Sequence, residues 1–566
     1  MFVPRVPERI CKYAILIVFA VSFFFIFNRP LDVQHWQWAD EGIYFNNAVS
    51  ITQAGATDGW LGDFNHLVIS KAPFFSVFLA FVHILGLPLR LAEFALFLPL
   101  PFLFEKAIRP YGLARTKVIL IASACLLLIP VAGMDTRLLR TTLFGALALA
   151  GLICVLAFIV RISRSELRLW PWVSLAGLFV GLGATTREEA MWLVGPVALT
   201  VLLALGIVLW RERTWVATKR ILIIVPILLA GYWLPNVVFS SLNYASYGVF
   251  SPSLRQNSHF RALYATLCNL KPETRRQYVP VLEATRHWAY NVSPRFAQLQ
   301  PLLEGPSTDG VANHPRHHAL NRWESGAREF FVSNFEFVLA EAIFKTGHQT
   351  GAEFVEFSKN TAWELNAAMN ESEDGALRLQ LGMLPPVQPS DTGAIISAAA
   401  KSLRYLVTTA GIRRMSQLQL RGRNEVVLMW HSFLMTSPYH PEGEPQASAQ
   451  LREAGYKGLV YLIRIVSPIG LLLGLLSVVL LWRKRHPDRT VILLAVVLAW
   501  STVISFSLAM GVVDTVGFPT LRYPGSYNRM GFFPMHYLLL VSSFVTWCAF
   551  THLFKLRQLH VDRSSS

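Results

Sequence analysis

Apolar runs about as long as a lipid bilayer is thick constrain this chain more than any other feature. A hydrocarbon core of about 30 Å needs roughly 20 mostly apolar helical residues. Only 15% of the 566 residues are charged and 53% are hydrophobic, so we expect a polytopic α-helical membrane protein with about ten transmembrane helices. The runs extend approximately over Tyr13–Phe27, Leu91–Ile108, Val118–Ala132, Thr142–Val160, Pro171–Ala184, Ala190–Trp210, Ile221–Val238, Tyr461–Trp482, Val491–Met510 and Phe532–Phe550.

Basic residues indicate the orientation of these runs. The first run follows Arg5, Arg9 and Lys12 without a small-residue cleavage site, which is typical of a retained anchor with a cytoplasmic N-terminus. Every second connection is then cytoplasmic, and each of these connections is basic: 105–117, 161–170, 211–220, 483–490 and the C-terminal tail. The net charge of +16 is therefore an orientation signal, and we expect no nucleic-acid partner.

One further apolar stretch, Ala72–Gly86, affects the topology. Counted as a span, it would place every later basic connection outside the cell, so we expect it on the outer membrane surface; a short tilted span is the alternative. The chain then divides into a transmembrane half at 1–238 with a first outer loop at 28–90, a large, mainly helical extracytoplasmic segment at 239–460, and C-terminal helices with a cytoplasmic tail at 461–566.

Several common site types lack their sequence signature here. The five cysteines form no CxxC pair and mostly lie in or beside apolar runs, so neither a disulfide scaffold nor a zinc module is indicated. Neither GxxxxGK[ST] nor GxGxxG occurs. We therefore expect no nucleotide-binding loop of these two types.

An acidic pair follows the first run. Asp40 and Glu41 stand in Trp38-Ala-Asp40-Glu41-Gly-Ile-Tyr44, where an amphipathic helix is expected to begin. A helix N-terminus favours ionised carboxylates, and such a pair can accept a proton from an attacking hydroxyl group or help to hold a divalent cation. From the residues alone, an N-terminal helix cap is the alternative interpretation.

A lysine and a proline follow about 30 residues later, in His66-Leu-Val-Ile-Ser-Lys71-Ala-Pro73-Phe74. A lysine at the membrane surface can bind a lipid phosphate as a point charge, and Pro73 suits the first turn of the next helix. Snorkelling of the lysine side chain to the interface is the alternative.

The order of these motifs resembles a known family. One span, an Asp-Glu pair with a following tyrosine, a Lys-x-Pro-aromatic helix and Thr-Arg-Glu-Glu at 186–189 are similar to the GT-C membrane glycosyltransferases. The branch is that of the protein O-mannosyltransferases and the lipid A aminoarabinose transferases. The resemblance covers roughly residues 10–210, with a weaker match in Leu521-Arg522-Tyr523-Pro524. It implies a GT-C-like fold in a bacterial inner membrane.

The resemblance also implies a role for each matched residue. Asp40 would act as the base, with Glu41 beside it. Lys71 and Arg187 would contact the phosphate of a polyprenyl carrier, and so would Arg522 and Tyr523. The implied activity is transfer of a sugar from a polyprenyl-phosphate donor to a glycan, lipid or protein acceptor on the extracytoplasmic side.

The third outer connection departs from the family pattern. Many members carry a second acidic residue where this chain has residues 140–142, and the only acid nearby is Asp135. We expect Arg137 and Arg140 to face the phosphate, with interfacial anchoring as the alternative. A divalent cation held by Asp40 and Asp135 is left open as a cofactor.

Two other classes of function stay open. A transporter or flippase would carry ionisable residues within its spans and often an internal repeat, whereas these runs have few charges away from their ends. A non-catalytic envelope protein with a partner-binding outer domain is the second alternative. His314, His317 and His318 have ligand-like spacing, but Pro315 disfavours a helix there, so a polar loop is expected.

Overall fold

The computed structural model describes residues 7–27, 31, 40–53, 58–128, 138, 140–164, 169–212, 215–270, 276–304, 329–330, 332–370, 383–407, 424–436, 446–484, 486, 488–517 and 533–564. Within them, the regular secondary structure is helical apart from one isolated β-bridge. The first helices are α1 (Glu8–Phe27), α2 (Asp40–Thr52), α3 (Phe74–Ile84), α4 (Leu89–Phe97), α5 (Leu100–Ile108), α6 (Arg115–Ser123), α7 (Thr141–Ile162), α8 (Trp170–Thr186), α9 (Met191–Glu212) and α10 (Trp215–Tyr247). The later helices are α11 (Ser258–Asn269), α12 (Glu283–Val292), α13 (Pro294–Ala297), α14 (Gln300–Glu304), α15 (Val332–Lys345), α16 (Gly351–Asn370), α17 (Thr392–Val407), α18 (Asn424–Leu434), α19 (Gln446–Arg483), α20 (Arg489–Val512) and α21 (Phe533–Ser564).

Seven helices in the described ranges are long and apolar enough to cross a membrane: α1, α7, α9, α10, α19, α20 and α21. They correspond to seven of the ten runs expected from the sequence. The prediction of a polytopic helical membrane protein is therefore confirmed.

The other three runs form shorter helices. Leu91–Ile108 is divided between α4 and α5 near Pro99, and Pro171–Ala184 lies in the 17-residue helix α8. Val118–Ala132 forms most of α6 and a π-helical turn at Ala124–Leu128, and its last residues lie outside the described part of the chain.

The stretch Ala72–Gly86 contains α3, which is followed by a sharp bend. The axes of α3 and of the helices from Leu89 to Tyr111 differ by 115°, with Gly86 in a left-handed conformation (φ 64°) between them. If this bent pair is one broken span, the number of candidate spans in the described residues rises to eight. The placement of Ala72–Gly86 on the membrane surface stays a prediction.

Burial distinguishes central from peripheral spans. The most apolar window of α7 is fully buried by other helices, whereas that of α1 is 17% buried and that of α10 is 22% buried. Lipid tails are as apolar as leucine, so peripheral helices keep large apolar side chains exposed without cost. We infer that α1, α10 and α19 face lipid around a core formed on α7.

Helices α8 and α10 cross at close range because glycines stand at the contact. A Cβ atom on Gly177 would lie 2.3 Å from the carbonyl oxygen of Leu228, and one on Gly181 would lie 2.3 Å from that of Tyr232. On α10, a Cβ atom on Gly231 would lie 2.8 Å from the carbonyl oxygen of Ser174. Small residues at this spacing let backbones approach within a membrane, and this contact fixes the end of α8.

A second hydrophobic cluster lies between residues 247 and 365 and includes Leu61, Val68 and Ile69 of the loop before α3. Its helices have polar caps: the side chain of Asn257 accepts hydrogen bonds from two backbone N–H groups at the start of α11. The backbone N–H of Leu254 donates to the carbonyl of Ile69 at 2.7 Å. The loop is thereby attached to this cluster.

Helices α2, α3 and α18 share a third cluster. Phe45 stacks on Trp430 with ring centres 4.5 Å apart, and Tyr44 meets Phe75 edge-on at 5.1 Å. These aromatic contacts hold α2 against the start of α3.

Part of the 239–460 segment packs against the transmembrane helices, as α17 shows. A Cβ atom on Gly511 of α20 would lie 2.6 Å from the carbonyl oxygen of Ile395, and Leu406 belongs to the hydrophobic cluster of the bundle. The segment boundaries inferred from the sequence stay a prediction.

Candidate active site

Local hydrogen bonds bring Asp40 and Lys71 together from two segments. Asp40 is the first residue of α2, and about two helical turns further into α2 the Asn47 side chain donates to the carbonyl of Val68 at 2.9 Å. The side-chain oxygen of Asn65 accepts from the N–H of Val68 and thereby shapes the turn that ends at Lys71. The start of α2 is thus fixed beside this lysine.

The two side chains form an ion pair with unequal exposure. Lys71 Nζ lies 3.0 Å from Asp40 Oδ1, and the side chains are 3% and 39% exposed, respectively. The ammonium also lies 4.9 Å from the centre of the Phe337 ring, where a cation interacts favourably with the aromatic face. The carboxylate is therefore the accessible member of the pair.

Neighbouring cations keep Asp40 ionised. Burial of the carboxyl group raises its pKa, but the positive charges of Lys71, Arg140 and Arg255, with the hydrogen bond from Lys71, outweigh burial and hold the pKa well below its ordinary value. A carboxylate with such a low pKa has little affinity for a proton. Asp40 is therefore a weak base while its partners are in place.

Glu188 links the lysine segment to Arg140. Its Oε1 accepts a hydrogen bond from the backbone N–H of Ala72 at 2.6 Å, and its Oε2 accepts from Arg140 Nη1 at 2.5 Å. Arg140 also donates to the carbonyl of Thr186 at 3.3 Å. The side chains of Arg140 and Glu188 are 6% and 7% exposed, so this is a buried ion pair between the start of α7 and the end of α8.

A second arginine reaches the site from the segment after α10. Arg255 pairs with Glu336 of α15, and the next residue, Gln256, donates to the carbonyl of Ala184 at 3.5 Å. Arg255 and Gln256 therefore connect the second hydrophobic cluster to the end of α8.

These residues form what we term the charge cluster: Asp40, Lys71, Arg140, Glu188, Arg255 and Glu336. Each of its three cations pairs with one of its three carboxylates, and Asp40 is the most exposed of these carboxylates. Converging lysine and arginine side chains can bind a phosphate group, and the carboxylate can accept a proton once its pairing is weakened. Glu41, adjacent to Asp40, has no exposed surface, so an entering molecule meets Asp40 first.

The structure brings only some of the expected site residues together. Arg187 is 8% exposed, and its guanidinium carbon lies 5.9 Å from the centre of the Phe144 ring; Arg187 is not among the cations that lower the pKa of Asp40. Four expected residues lie outside the described part of the chain: Asp135, Arg137, Arg522 and Tyr523. Their assigned roles stay predictions.

The residues described around Asp40 do not suit a divalent cation. Such an ion needs several oxygen ligands with an excess of negative charge, whereas Asp40 is surrounded by Lys71, Arg140 and Arg255. The second expected ligand, Asp135, lies outside the described residues. We therefore assign no step to a metal.

Elsewhere in the described residues, Glu283, His287 and Glu304 place potential ligand atoms within 4.8 Å of one another. Glu304, however, accepts hydrogen bonds from Arg286 at 2.6 and 3.2 Å and from Tyr290 at 2.9 Å. Its carboxylate therefore serves as the partner of a buried arginine.

Sequence reasoning did not assign Glu188 or Glu336 to the site. Glu188 stands in the Thr-Arg-Glu-Glu stretch, where only the threonine and arginine were matched to the family. Its signal was the presence of carboxylates directly after a span end rich in small residues. Glu336 lies in a segment without a recognisable motif.

Comparison with known proteins gives few matches. No family model and no curated protein matches the chain. Two solved structures are similar to it: crystal structures of ArnT from Cupriavidus metallidurans in the apo state and bound to undecaprenyl phosphate. Each is 14% identical in sequence and covers 89% of this chain and 77% of its own, with TM-scores of 0.28 and 0.26. The function proposed below rests on the charge cluster.

Proposed function

We propose that this chain is an integral-membrane glycosyltransferase that moves a sugar from a polyprenyl-phosphate carrier to an acceptor on the extracytoplasmic side. The observation that carries this proposal is the accessible Asp40 carboxylate paired with a buried lysine and flanked by two arginines. Proton acceptance and phosphate binding are the two functions that transfer from a lipid phosphate requires.

The chemistry is a single displacement at the anomeric carbon of the donor sugar. The acceptor oxygen or nitrogen forms a bond to this carbon, and the bond from the carbon to the phosphate oxygen breaks, leaving its electron pair on the carrier phosphate. Asp40 accepts the proton that the acceptor loses. Lys71, Arg140 and Arg255 stabilise the negative charge that grows on the phosphate.

The fixed positions of the three cations support these roles. Lys71 follows a hydrogen-bonded turn, Arg140 immediately precedes α7, and Arg255 follows α10. All three are held by carboxylates or by backbone contacts, so the cations are positioned before a substrate arrives. The resemblance in sequence order supports Asp40 and Lys71 as the matched residues. The acceptor is proposed to be a glycan, lipid or protein of the cell envelope.

The test is transfer by purified protein reconstituted with polyprenyl-phosphate sugars and an envelope extract as acceptor. Carrier consumption is followed in wild type, Asp40→Asn and Lys71→Gln, with Asp58→Asn and Lys359→Gln as exposed controls outside the charge cluster. We expect both cluster variants to lose about 100-fold or more in rate and both controls to match wild type. No carrier consumption by wild type would refute the proposed function, and full activity of Asp40→Asn would refute the role of Asp40.

A further inference from the structure

The ion pair between Lys71 and Asp40 closes the site in its resting state. The lysine side chain is 3% exposed and the carboxylate 39% exposed, so a phosphate that reaches the exposed side of the pair meets the carboxylate before the ammonium. The negative charges of the phosphate and of the Asp40 carboxylate repel each other, and the phosphate can contact Lys71 Nζ only if the carboxylate moves away. The two anions therefore compete for one cation.

We propose that the carrier phosphate takes Lys71 from Asp40, so that the binding of the donor frees the carboxylate that accepts the proton. This inference rests on the proposed function. In the protein without carrier, Asp40 is then paired with Lys71 and inactive as a base. The carrier that supplies the sugar also separates this ion pair.

Geometry favours this exchange over simple addition of the phosphate. Lys71 Nζ contacts both Asp40 Oδ1 and the Phe337 ring, and the lysine side chain is only 3% exposed. Little open surface is left for a second anion, so a new anion replaces the carboxylate more readily than it binds beside it. Asp40 lies in the first turn of α2, where the positive end of the helix dipole stabilises a carboxylate. The carboxylate therefore keeps a favourable environment after it leaves Lys71.

Charge growth during the reaction drives the exchange further. A sugar-linked carrier phosphate is a diester with one negative charge, equal to that of the carboxylate. As the bond to the sugar breaks, the phosphate gains a second charge and attracts Lys71 more strongly than Asp40 does. The pKa of the freed carboxylate then rises towards its ordinary value, because its nearest cation has turned to the phosphate. Asp40 becomes a better base at the stage when the acceptor loses its proton.

One consequence is the order of events. Without carrier, the carboxylate stays paired and accepts a proton poorly, so an acceptor that arrives first is not activated. The free carrier phosphate, which has the larger charge, should bind more tightly than the sugar-linked donor. We expect product inhibition by the carrier.

The test is a double-mutant cycle on binding, with undecaprenyl phosphate as the probe and no sugar present. Affinities are measured for wild type, Asp40→Asn, Lys71→Gln and the double variant. We expect Asp40→Asn to bind the probe about tenfold more tightly than wild type, since its lysine is no longer occupied by an anion. In the Lys71→Gln background the same change should gain less than about threefold.

Asp58→Asn is the matched control, because it removes an exposed carboxylate outside the charge cluster by the same change. We expect its affinity to stay within about twofold of wild type. Asp40→Ser provides a second neutral variant at this accessible position, and thermal unfolding confirms that each variant is folded.

The outcomes separate the two proposals. If wild type binds the probe and transfers sugar, but Asp40→Asn binds no more tightly, the exchange is refuted and the transferase function stands. A tenfold gain from Asp40→Asn that persists without Lys71, or that Asp58→Asn reproduces, reflects general repulsion and also refutes the exchange. Wild type that neither binds the probe nor transfers sugar refutes both.

Discussion

Glu188 supports two parts of the charge cluster that are far apart in sequence. One oxygen of its carboxylate holds the backbone beside Lys71, and the other holds Arg140. Both members of the Arg140 pair are buried, so removal of the negative charge leaves a cation without its main compensation, at a cost of about 3 kcal/mol. We assign Glu188 as a positioning residue.

The prediction is that Glu188→Gln lowers kcat/KM for the donor by about 10- to 100-fold. The amide can still accept from Ala72, but its NH2 group faces a guanidinium that only donates. Initial rates of carrier consumption measure the effect, and Glu188→Asp tests whether the charge alone restores part of it. Exposed Glu356→Gln is the control. Wild-type kinetics in Glu188→Gln would contradict the assignment.

The pH dependence of transfer depends on the state of Asp40. Its pKa in the free protein lies below the ordinary value of 3.8 because Lys71, Arg140 and Arg255 favour the charged form despite burial. Protonation removes the base, so kcat/KM, which reports the free protein, should show no acid limb down to about pH 4. If the phosphate takes Lys71, the pKa rises in the complex and the acid limb of kcat moves to higher pH. Coinciding acid limbs for kcat and kcat/KM would contradict this prediction.

At this scale, sequence reasoning found single residues but not their pairs. Asp40 and Lys71 stand in recognisable local patterns, and both belong to the charge cluster. Arg140 was expected to face a phosphate, and that role stays a prediction; in the structure Arg140 also pairs with Glu188, 48 positions later. A pairing over that distance follows from how helix ends converge, and a local motif does not contain it.

At the scale of helices, the glycine contact between α8 and α10 fixes the end of α8, where Thr186 is the last residue and Glu188 follows two positions later. A side chain at Gly181 would overlap the backbone of Tyr232, and neither helix can move without disturbing the charge cluster. Overpacking costs about 1–3 kcal/mol in protein cores. Backbone atoms cannot turn aside as side chains do, so we expect at least that cost here.

The prediction is that Gly181→Leu lowers the midpoint of thermal unfolding by several degrees and reduces transfer. Gly206→Leu in α9 is the matched control, because no atom lies within 4 Å of the position of its Cβ. Thermal unfolding of both variants in the same detergent measures the difference. Equal stability of the two variants would contradict the close contact.

Helix prediction succeeded where one apolar run is long enough to span a membrane alone. Seven runs have that property in the described residues, and all seven form single long helices. It was less successful at Leu91–Ile108, where hydropathy is continuous but Pro99 separates α4 from α5. The bend of 115° after α3 similarly depends on Gly86, which a hydropathy average does not register.

At the scale of the whole molecule, Arg255 and Glu336 connect the second hydrophobic cluster to the charge cluster. Glu336 lies in α15, and Arg255 is one of the cations that act on Asp40. The 247–365 region is therefore part of the site's electrostatics. Sequence reasoning placed this region outside the membrane but assigned it no role, because it carries no motif.

The prediction is that Glu336→Gln weakens transfer by about 3- to 10-fold, since Arg255 loses the partner that fixes it. The matched control is Glu341→Gln on the same helix, whose carboxylate pairs with Lys345 at 3.0 Å and is not among the groups that shift the pKa of Asp40. Both variants are compared by initial rate and by thermal unfolding. An equal loss in the two variants would show that α15 contributes only stability.

The orientation of the whole chain places the charge cluster either outside or inside the cell, and the proposed function requires it outside. Engineered single cysteines decide this in a background in which the five native cysteines are replaced. A membrane-impermeant maleimide should label positions 58 and 359 in intact cells, and position 115, whose arginine side chain is 68% exposed, only after permeabilisation. If α3 lies on the outer membrane surface, its exposed residues Phe81 and Ile84 face lipid and label slowly, with faster labelling after detergent extraction. Labelling of position 115 in intact cells would reverse the topology and, with it, the side on which the carrier is used.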